Sequence, residues 1–440
     1  MQVLVIGAGL AGCEAAWQAA RRGLDVTLVE MKPLERSPAH HSDSFAELVC
    51  SNSLRSNRTT HAVGLLKEEM RRLGSLVLAA ADEAAVPAGQ ALAVDRELFS
   101  ARITETLRAH PRVRIEHARI DTIPEDRPVI LATGPLTAGG LADELQRVVG
   151  EESLYFYDAL SPIVYADSID MEIAFRASRW EDGEGDYLNL PLSREQYETF
   201  HASLLEADTV PLHSFERALY FEGCLPIEEM ARRGVDTLAY GPMKPVGLRD
   251  PRTGERPHAV VQLRQEDKRG VLYSLVGFQT KLRIGEQRRL LRTLPGAAEA
   301  VFARFGSVHR NTYLNAPRHL GPSLELNAKP GVYVAGQMSG VEGYVESAAL
   351  GGLAGIHVAH AVCGRPLLRP DPTTAHGALL AFLGGADAKR FQPMNVNFGL
   401  FPPLPGNRKL KRRDRYPLLA ERALGEIDRY ADAVAPEGFA

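Results

Sequence analysis

The chain has 440 residues, of which 45% are hydrophobic and 24% charged, with a formal net charge of −4. That balance excludes a disordered or collagen-like chain, leaves room for two domains, and gives no global sign of a nucleic-acid partner. Cys13, Cys50, Cys224 and Cys363 are widely separated and form no CxxC pair, which argues against a zinc ribbon or a disulfide framework and suits a reducing cytoplasm. No metal is expected.

Val3 to Ile6 form an apolar run suited to a buried parallel strand, Gly7-Ala8-Gly9-Leu10-Ala11-Gly12 a tight turn, and Cys13 to Ala20 a helix. In this order Gly7 permits the turn, Gly9 lets the backbone approach a pyrophosphate, and Gly12 lets helix and strand pack closely. The helix N-terminus offers free N–H groups and a positive dipole to phosphate. A second strand, Asp25 to Val29, ends in Glu30, about 20 residues on, where a carboxylate can accept ribose hydroxyls. A nucleotide fold over the first residues leaves no place for a signal segment, and no run of about 18 uncharged apolar residues is read, so no membrane span is expected.

Cys50 follows in Glu47-Leu48-Val49-Cys50-Ser51-Asn52-Ser53-Leu54-Arg55-Ser56-Asn57, a stretch of small and polar residues, and Cys224 lies between Gly223 and Pro226 in a predicted turn. Loops let a thiol meet a base or a cation and act as thiolate; on residue type alone, reactive and inert readings both stay open. Cys13 and Cys363 fall on helices and read as small packed hydrophobes. Arg55 and Arg58 are isolated charges that carry no reading by themselves.

Pro128 to Gly134 reads as a strand ending in a small-residue turn at Gly134. From about 151 to 310 the pattern changes to aromatic and β-branched runs, Leu154 to Tyr157 and Val271 to Phe278, broken by Gly and Pro. The expected organisation is therefore α/β: a discontinuous Rossmann-like FAD-binding domain, 1–150 and 311–440, with an inserted α+β substrate domain, 151–310. Gly331 to Gly336 is a further strand and turn, and the helix from Gly343 to Gly355 is expected to point its N-terminus at the flavin, bringing Gly336, Glu342, Gly343 and Tyr344 near it. Two glycine-rich halves so far apart favour a resident FAD over NAD. Near the end, Arg408 to Arg415 is a basic run that reads either as a contact for phosphates or as a solvated helix face.

Several of these stretches, Gly7 to Ala16, Glu47 to Asn57, Gly64 to Arg71, Phe221 to Glu228, Asp236 to Leu238, Gly241 to Leu248, Gly336 to Ser347 and Phe391 to Gly399, resemble the folate- and FAD-dependent tRNA (uracil-5-)-methyltransferase family, TrmFO, from end to end. The Glu-Leu-Val-Cys-Ser-Asn and Phe-Glu-Gly-Cys-Leu-Pro-Ile-Glu segments are far more specific than the glycine fingerprint. The resemblance implies methylation of uridine 54 in the tRNA T-loop, with 5,10-methylenetetrahydrofolate as carbon donor, reduced FAD as methylene carrier and reductant, and NADH or NADPH reducing the flavin. It also implies Cys224 as the thiolate that adds to uracil C6 and Cys50 as the partner that removes the C5 proton or controls the nucleophile, with the two roles exchangeable. Arg283, His309, Arg310 and Asn311 are expected in or near the segment re-entering the flavin domain, to stack on a pterin or meet its glutamate tail, although His309 also reads as an ordinary histidine. Arg412 and Arg413 are expected on tRNA phosphates.

Three other readings compete. One is the related FAD- and folate-dependent wobble-uridine enzyme, whose family carries a long helical C-terminal extension where this chain stops at Ala440. Another is an NAD(P)H-dependent flavin oxidoreductase without RNA substrate, which leaves both cysteine motifs unexplained. The third is a noncatalytic FAD-stabilised RNA-binding protein.

Overall fold

The computed structural model describes residues 1–439 except 38, 138, 151–153, 182, 211–224 and 407–409; of 154–158, 308–311 and 439 it describes the backbone alone. Five short strands form a parallel sheet in the order Val332–Val334, Val129–Leu131, Gln2–Ile6, Asp25–Glu30, Val113–His117. The near-continuous burial of Val3–Ile6 and Val129–Leu131 is that of parallel strands covered on both faces. The strand order reverses on either side of Gln2–Ile6, so the switch-point crevice opens at the carboxyl edge between Gly7 and Gly134. Gly336 follows the neighbouring strand at the same edge.

The two ends of the chain are joined by backbone contact between helices. The helix Leu10–Arg21 packs against Tyr344–Val362, and a side chain at Gly351 or Gly355 would overlap the carbonyl of Ala11 or Ala15. Small residues on both helices therefore allow an approach that larger ones forbid. The second helix runs seven residues beyond the expected Gly355 and is long and apolar enough to cross a membrane, although Glu346, Ser347, His357 and His360 interrupt its apolar run. Tyr344–Val362 meets that measure by length and composition, with 89% of its most apolar window buried inside the protein. Its Gly and Ala content serves helix packing.

A second sheet has six strands in the order Phe175–Arg176, Tyr187–Leu192, Ala259–Gln265, Leu272–Leu275, Ile163–Tyr165, Phe302–Arg304, each pair antiparallel. Helix Arg194–Glu206, begun by a Ser193/Gln196 capping box, contributes Tyr197, Phe200 and Leu204 to the core against this sheet. A two-stranded ribbon, Leu154–Ala159 with Val308–Tyr313, carries the chain out and back. One hydrophobic core draws on Val3 to Leu145 and Tyr313 to Val434, the other on Val164 to Ala300.

Replacing Gly351 by Val should break the helix contact. We expect a loss of about 1–3 kcal/mol in unfolding free energy by denaturant titration, as for other overpacked cores, and an unchanged midpoint would show that the helices can part without cost.

Candidate active site

At the carboxyl edge of the parallel sheet, Gly7 has φ +99° and a Cβ there would lie 2.5 Å from the Ala132 carbonyl oxygen, so this turn and its neighbour touch through backbone alone. Gly12 packs on the Gly7 carbonyl. Gly9, the N-cap of the first helix, behaves differently: no side chain caps it, and a Cβ would meet nothing within 4 Å. The first turn thus faces open space with unsatisfied N–H groups, the condition a pyrophosphate requires. Glu30 is buried, one carboxylate oxygen accepting from Ala8 N (2.8 Å) and the other from Lys32 N (3.1 Å). It braces the glycine loop and keeps lone pairs for a ribose.

The segment around Cys50 lies where the two cores meet, and backbone bonds hold it. The Cys50 N–H donates to the Tyr344 hydroxyl oxygen (2.6 Å), while Arg304 donates to the carbonyls of Val49 (2.8 Å) and Cys50 (3.1 Å). Arg96 donates to the Leu48 carbonyl and to Glu266 (2.7 Å). Asn52, fully buried, donates to Val94 O and Gln265 O, each at 2.9 Å, and accepts from Arg264 Nε (2.9 Å). Burial pushes the Glu266 carboxyl up, but the guanidinium groups of Arg96 and Arg264 outweigh it and hold the group below its ordinary range. With Arg304 added, cations exceed carboxylates around the Cys50 peptide. Burial, then the proximity of Cys50, raise the Tyr344 phenol, so it stays protonated at neutral pH.

Tyr344 opens the long helix, and the residues beside it are tied to the Phe391 to Gly399 stretch. The carbonyl of Glu342 accepts from Asn395 Nδ2 (2.6 Å), its carboxylate accepts from Gln337 Nε2 (2.5 Å), and Val396 N donates to Glu346 (3.0 Å). Glu346 is fully buried and pairs with the half-exposed Arg55. Arg55 stands in a left-handed turn at φ +62°, with its N–H on Ser53 Oγ (3.1 Å). Behind the turn, fully buried Lys67 donates to the carbonyls of Leu54 (2.9 Å) and Arg55 (3.0 Å).

The family model described as glucose inhibited division protein A matches residues 2–366. The methylenetetrahydrofolate–tRNA-(uracil-5-)-methyltransferase TrmFO of Desulforudis audaxviator is 59% identical over 426 residues, 97% of each chain. That of Geobacter sulfurreducens is 56% identical over 433 residues, 98% of this chain and 99% of its own. This chain belongs to the TrmFO family. In fold it is similar to Aquifex aeolicus GidA, with a TM-score of 0.71 at 17% identity over 99% of this chain and 74% of that one. The shared fold is a Rossmann-like α/β sheet with an inserted antiparallel part.

Within this TrmFO-family chain the structure brings Gly7, Gly9, Gly12, Glu30, Gly134 and Gly336 to one sheet edge, and Cys50, Glu342, Gly343 and Tyr344 to the N-terminus of the long helix. Cys224 lies outside the described residues, as do Arg408 and Lys409. His309, Arg310 and Asn311 are on the returning ribbon strand, opposite Asp158, Tyr157 and Phe156, their side chains outside the description. Arg283 is not in that segment: it is exposed at the N-cap of the helix Ile284–Leu291, its N–H on the Asp208 carbonyl (3.0 Å). Nearness in sequence misplaced it, because a helix and the strand Phe302–Arg304 intervene. Arg412 and Arg413 are exposed on the first turn of the helix Arg412–Ala433, Arg413 paired with Asp414 (3.5 Å). Cys13 is buried, which pushes its thiol up, and Cys363 caps the end of the long helix. Among the described residues no group of three or more His, Cys, Asp or Glu is placed to hold a metal ion.

Sequence reasoning missed Arg96, Arg264, Arg304 and Lys67 and passed over Arg55. The usable signal for Arg55 and Lys67 was their place inside the Glu47 to Asn57 and Gly64 to Arg71 stretches; the other three gave none.

Burial, with lesser help from Arg71 and Arg55 and against Asp82 and Glu346, pushes Lys67 down from the ordinary 10.5 to about 7. Between those values the unfolded chain binds the extra proton, so stability rises with pH across the window, and below it the whole penalty remains. Unfolding free energy should therefore climb from pH 7 toward 10 by about 1 kcal/mol per unit at its steepest, and the Lys67→Met variant should lose that slope.

Proposed function

We propose that this chain methylates C5 of a uridine in tRNA, uridine 54 of the T-loop, with 5,10-methylenetetrahydrofolate as the one-carbon donor and FAD as resident cofactor. The observation that carries the reading is the Cys50 peptide clamped between Tyr344 and Arg304, in a chain 59% identical to a methylenetetrahydrofolate–tRNA-(uracil-5-)-methyltransferase. A two-part dinucleotide site opening on a cation-rich thiol segment suits a reaction that joins a redox cofactor to uracil chemistry.

The uncapped helix at Gly9, with Gly7, Gly12, Glu30, Gly134 and Gly336, fits a dinucleotide such as FAD. Bound there, FAD supplies the one-carbon carrier and reducing chemistry that a methyl group made from a methylene requires. Uracil C5 is a poor nucleophile until a thiolate adds at C6; the resulting enolate bonds through C5 to the methylene carbon, the C5 proton then leaves to a base as the bond from that carbon to its carrier nitrogen breaks, and a hydride from the reduced cofactor would complete the methyl group as the thiolate is expelled. Cys224 is our candidate for the adding thiolate and Cys50 for the group that takes the C5 proton or governs the nucleophile, with the opposite allocation equally in keeping with their chemistry. Glu342, Gly343 and Tyr344 are assigned to the cofactor side, and His309, Arg310 and Asn311 to the folate. Arg412 and Arg413 are assigned to RNA phosphates, which position a substrate without reading its sequence. NADH or NADPH would return the flavin to its reduced form. The two hydrophobic cores are read as the FAD-binding domain, 1–150 with 311–440, and the inserted substrate domain, 151–310. The reading carries with it a cytoplasmic setting, in keeping with free Cys13, Cys50 and Cys363.

The test is single-turnover transfer of labelled methylene from methylenetetrahydrofolate to an unmodified tRNA transcript with flavin-loaded enzyme and NADH. Label at the T-loop uridine, lost in Cys224→Ala, is expected; NADH oxidation with unlabelled RNA would instead favour a plain oxidoreductase, and RNA binding with neither activity a noncatalytic protein.

Two further outcomes are expected. Gly9→Glu should yield colourless protein, because a carboxylate would fill the space reserved for phosphate; a normal flavin spectrum would remove Gly9 from the site. Reversing the charges of Arg412 and Arg413 should weaken tRNA binding and flatten its salt dependence by roughly one unit of log–log slope per lost phosphate contact. Unchanged affinity across salt would leave those residues a solvated helix face.

A further inference from the structure

The Gly64 to Arg71 stretch belongs to a helix, Ala62–Arg72, that reaches the site just described only through Lys67, yet its inward face is unusually polar for a core. Each inward polar group serves the backbone of another segment. Glu69, fully buried, accepts from Ala375 N (2.7 Å), His376 N (3.0 Å) and His376 Nδ1 (2.7 Å), and so holds the start of the helix Ala375–Gly385. Gly64 leaves room for the Arg58 carbonyl, which any side chain there would overlap. Lys67 sends its ammonium through the core to Leu54 O and Arg55 O.

Those two carbonyls flank the left-handed residue Arg55. A non-glycine residue at positive φ is disfavoured and persists where its surroundings over-determine it. Two constraints act here: Ser53 Oγ accepts the Arg55 N–H, and Lys67 takes the carbonyls on either side of the bend. The bend in turn directs the Arg55 guanidinium onto Glu346, two residues past Tyr344, whose hydroxyl accepts the Cys50 N–H. Burial strips an ammonium of water, a cost that hydrogen bonds only partly offset, so packing alone does not account for Lys67 at this position.

From this arrangement we infer that Lys67 is a positioning residue for the reaction centre: it locks the Ser53–Arg55 bend, sets Arg55 against Glu346, and thereby fixes the Cys50 segment relative to the N-terminus of the helix Tyr344–Val362. The inference rests on the reading of Cys50 as part of that centre. Lys67 touches no reacting atom and acts through Arg55.

Two variants separate the links. Lys67→Met nearly keeps the volume and removes the ammonium; Arg55→Gly accepts φ +62° without strain and removes the whole side chain, guanidinium included. On flavin-loaded protein, kcat and the tRNA KM for methylene transfer are measured beside the alkylation rate of Cys50, read on its own peptide by mass spectrometry. Both variants should lose kcat by about tenfold or more while KM stays within roughly twofold, the pattern of lost orientation, and Cys50 should alkylate at least about threefold faster. Lys67→Ala should behave alike and recover part of its kcat when propylammonium is added, which a merely destabilised core would not do.

Wild-type kcat and alkylation in both Lys67→Met and Arg55→Gly would overturn the inference. Should Lys67→Met fail to fold, Arg55→Gly decides: wild-type behaviour there overturns it, faster alkylation with lower kcat sustains it. Cys50→Ser separates the two layers. Full transfer by that variant would remove Cys50 from the reaction centre, whereas the alkylation rates would still report whether Lys67 holds the segment.

Discussion

The nucleotide half of the molecule depends on one steric permission: the first helix and the long helix touch backbone to backbone, Ala11 against Gly351 and Ala15 against Gly355. Helices bearing ordinary side chains keep their axes 8–10 Å apart, and removal of those side chains at the crossing closes that gap. The glycine turns at Gly7 and Gly336 then meet over the same sheet edge, where a side chain at Gly336 would press on the Ala11 methyl. Two glycine turns more than three hundred residues apart in a 440-residue chain come together through that crossing.

The seam between the cores obeys a different logic. Arginines from three separate segments, Arg96, Arg264 and Arg304, hold the Leu48 to Asn52 stretch largely through its own backbone and amide groups. Hydrogen bonds from charged donors to carbonyls are strong and directional, so they fix the path of a loop more closely than packing would. The same donors leave an excess of positive charge along this segment.

Much of the fold was legible in the sequence because its signals are local. The strand, glycine turn and helix from Val3 to Ala20 can be read within twenty residues, and Gly9 and Gly12 occupy the places their spacing assigns. The change from parallel to antiparallel structure was visible in the runs after Leu154. The candidate site was legible where a motif carried it, as at Cys50 and at Glu342 to Tyr344. Arg304 and Arg96 escaped because their acceptors are backbone carbonyls far away in sequence, which leave no mark in residue type. Lys67 looked like any helical lysine, its burial decided by the turn it meets. Arg283 was misplaced because distance along the chain stood in for distance in space. The long apolar helix escaped as a continuous segment because Ser, Gly and His dilute it, although the fold buries nearly all of it.

The C-terminal helix also has a consequence for synthesis. Val434 accepts from the buried guanidinium of Arg22, and Asp428 pairs with Arg72, so the last residues finish the core begun by the first. During translation the antiparallel core, Val164 to Ala300, is complete while the first helix still lacks both the long helix and Val434. A bare Gly/Ala face on Leu10–Arg21 must therefore wait, exposed, for more than three hundred residues of chain to emerge. Domains fold as units as they leave the ribosome, and contacts of such sequence separation form slowly. The contacts that complete the first core thus join the earliest residues of the chain to its latest.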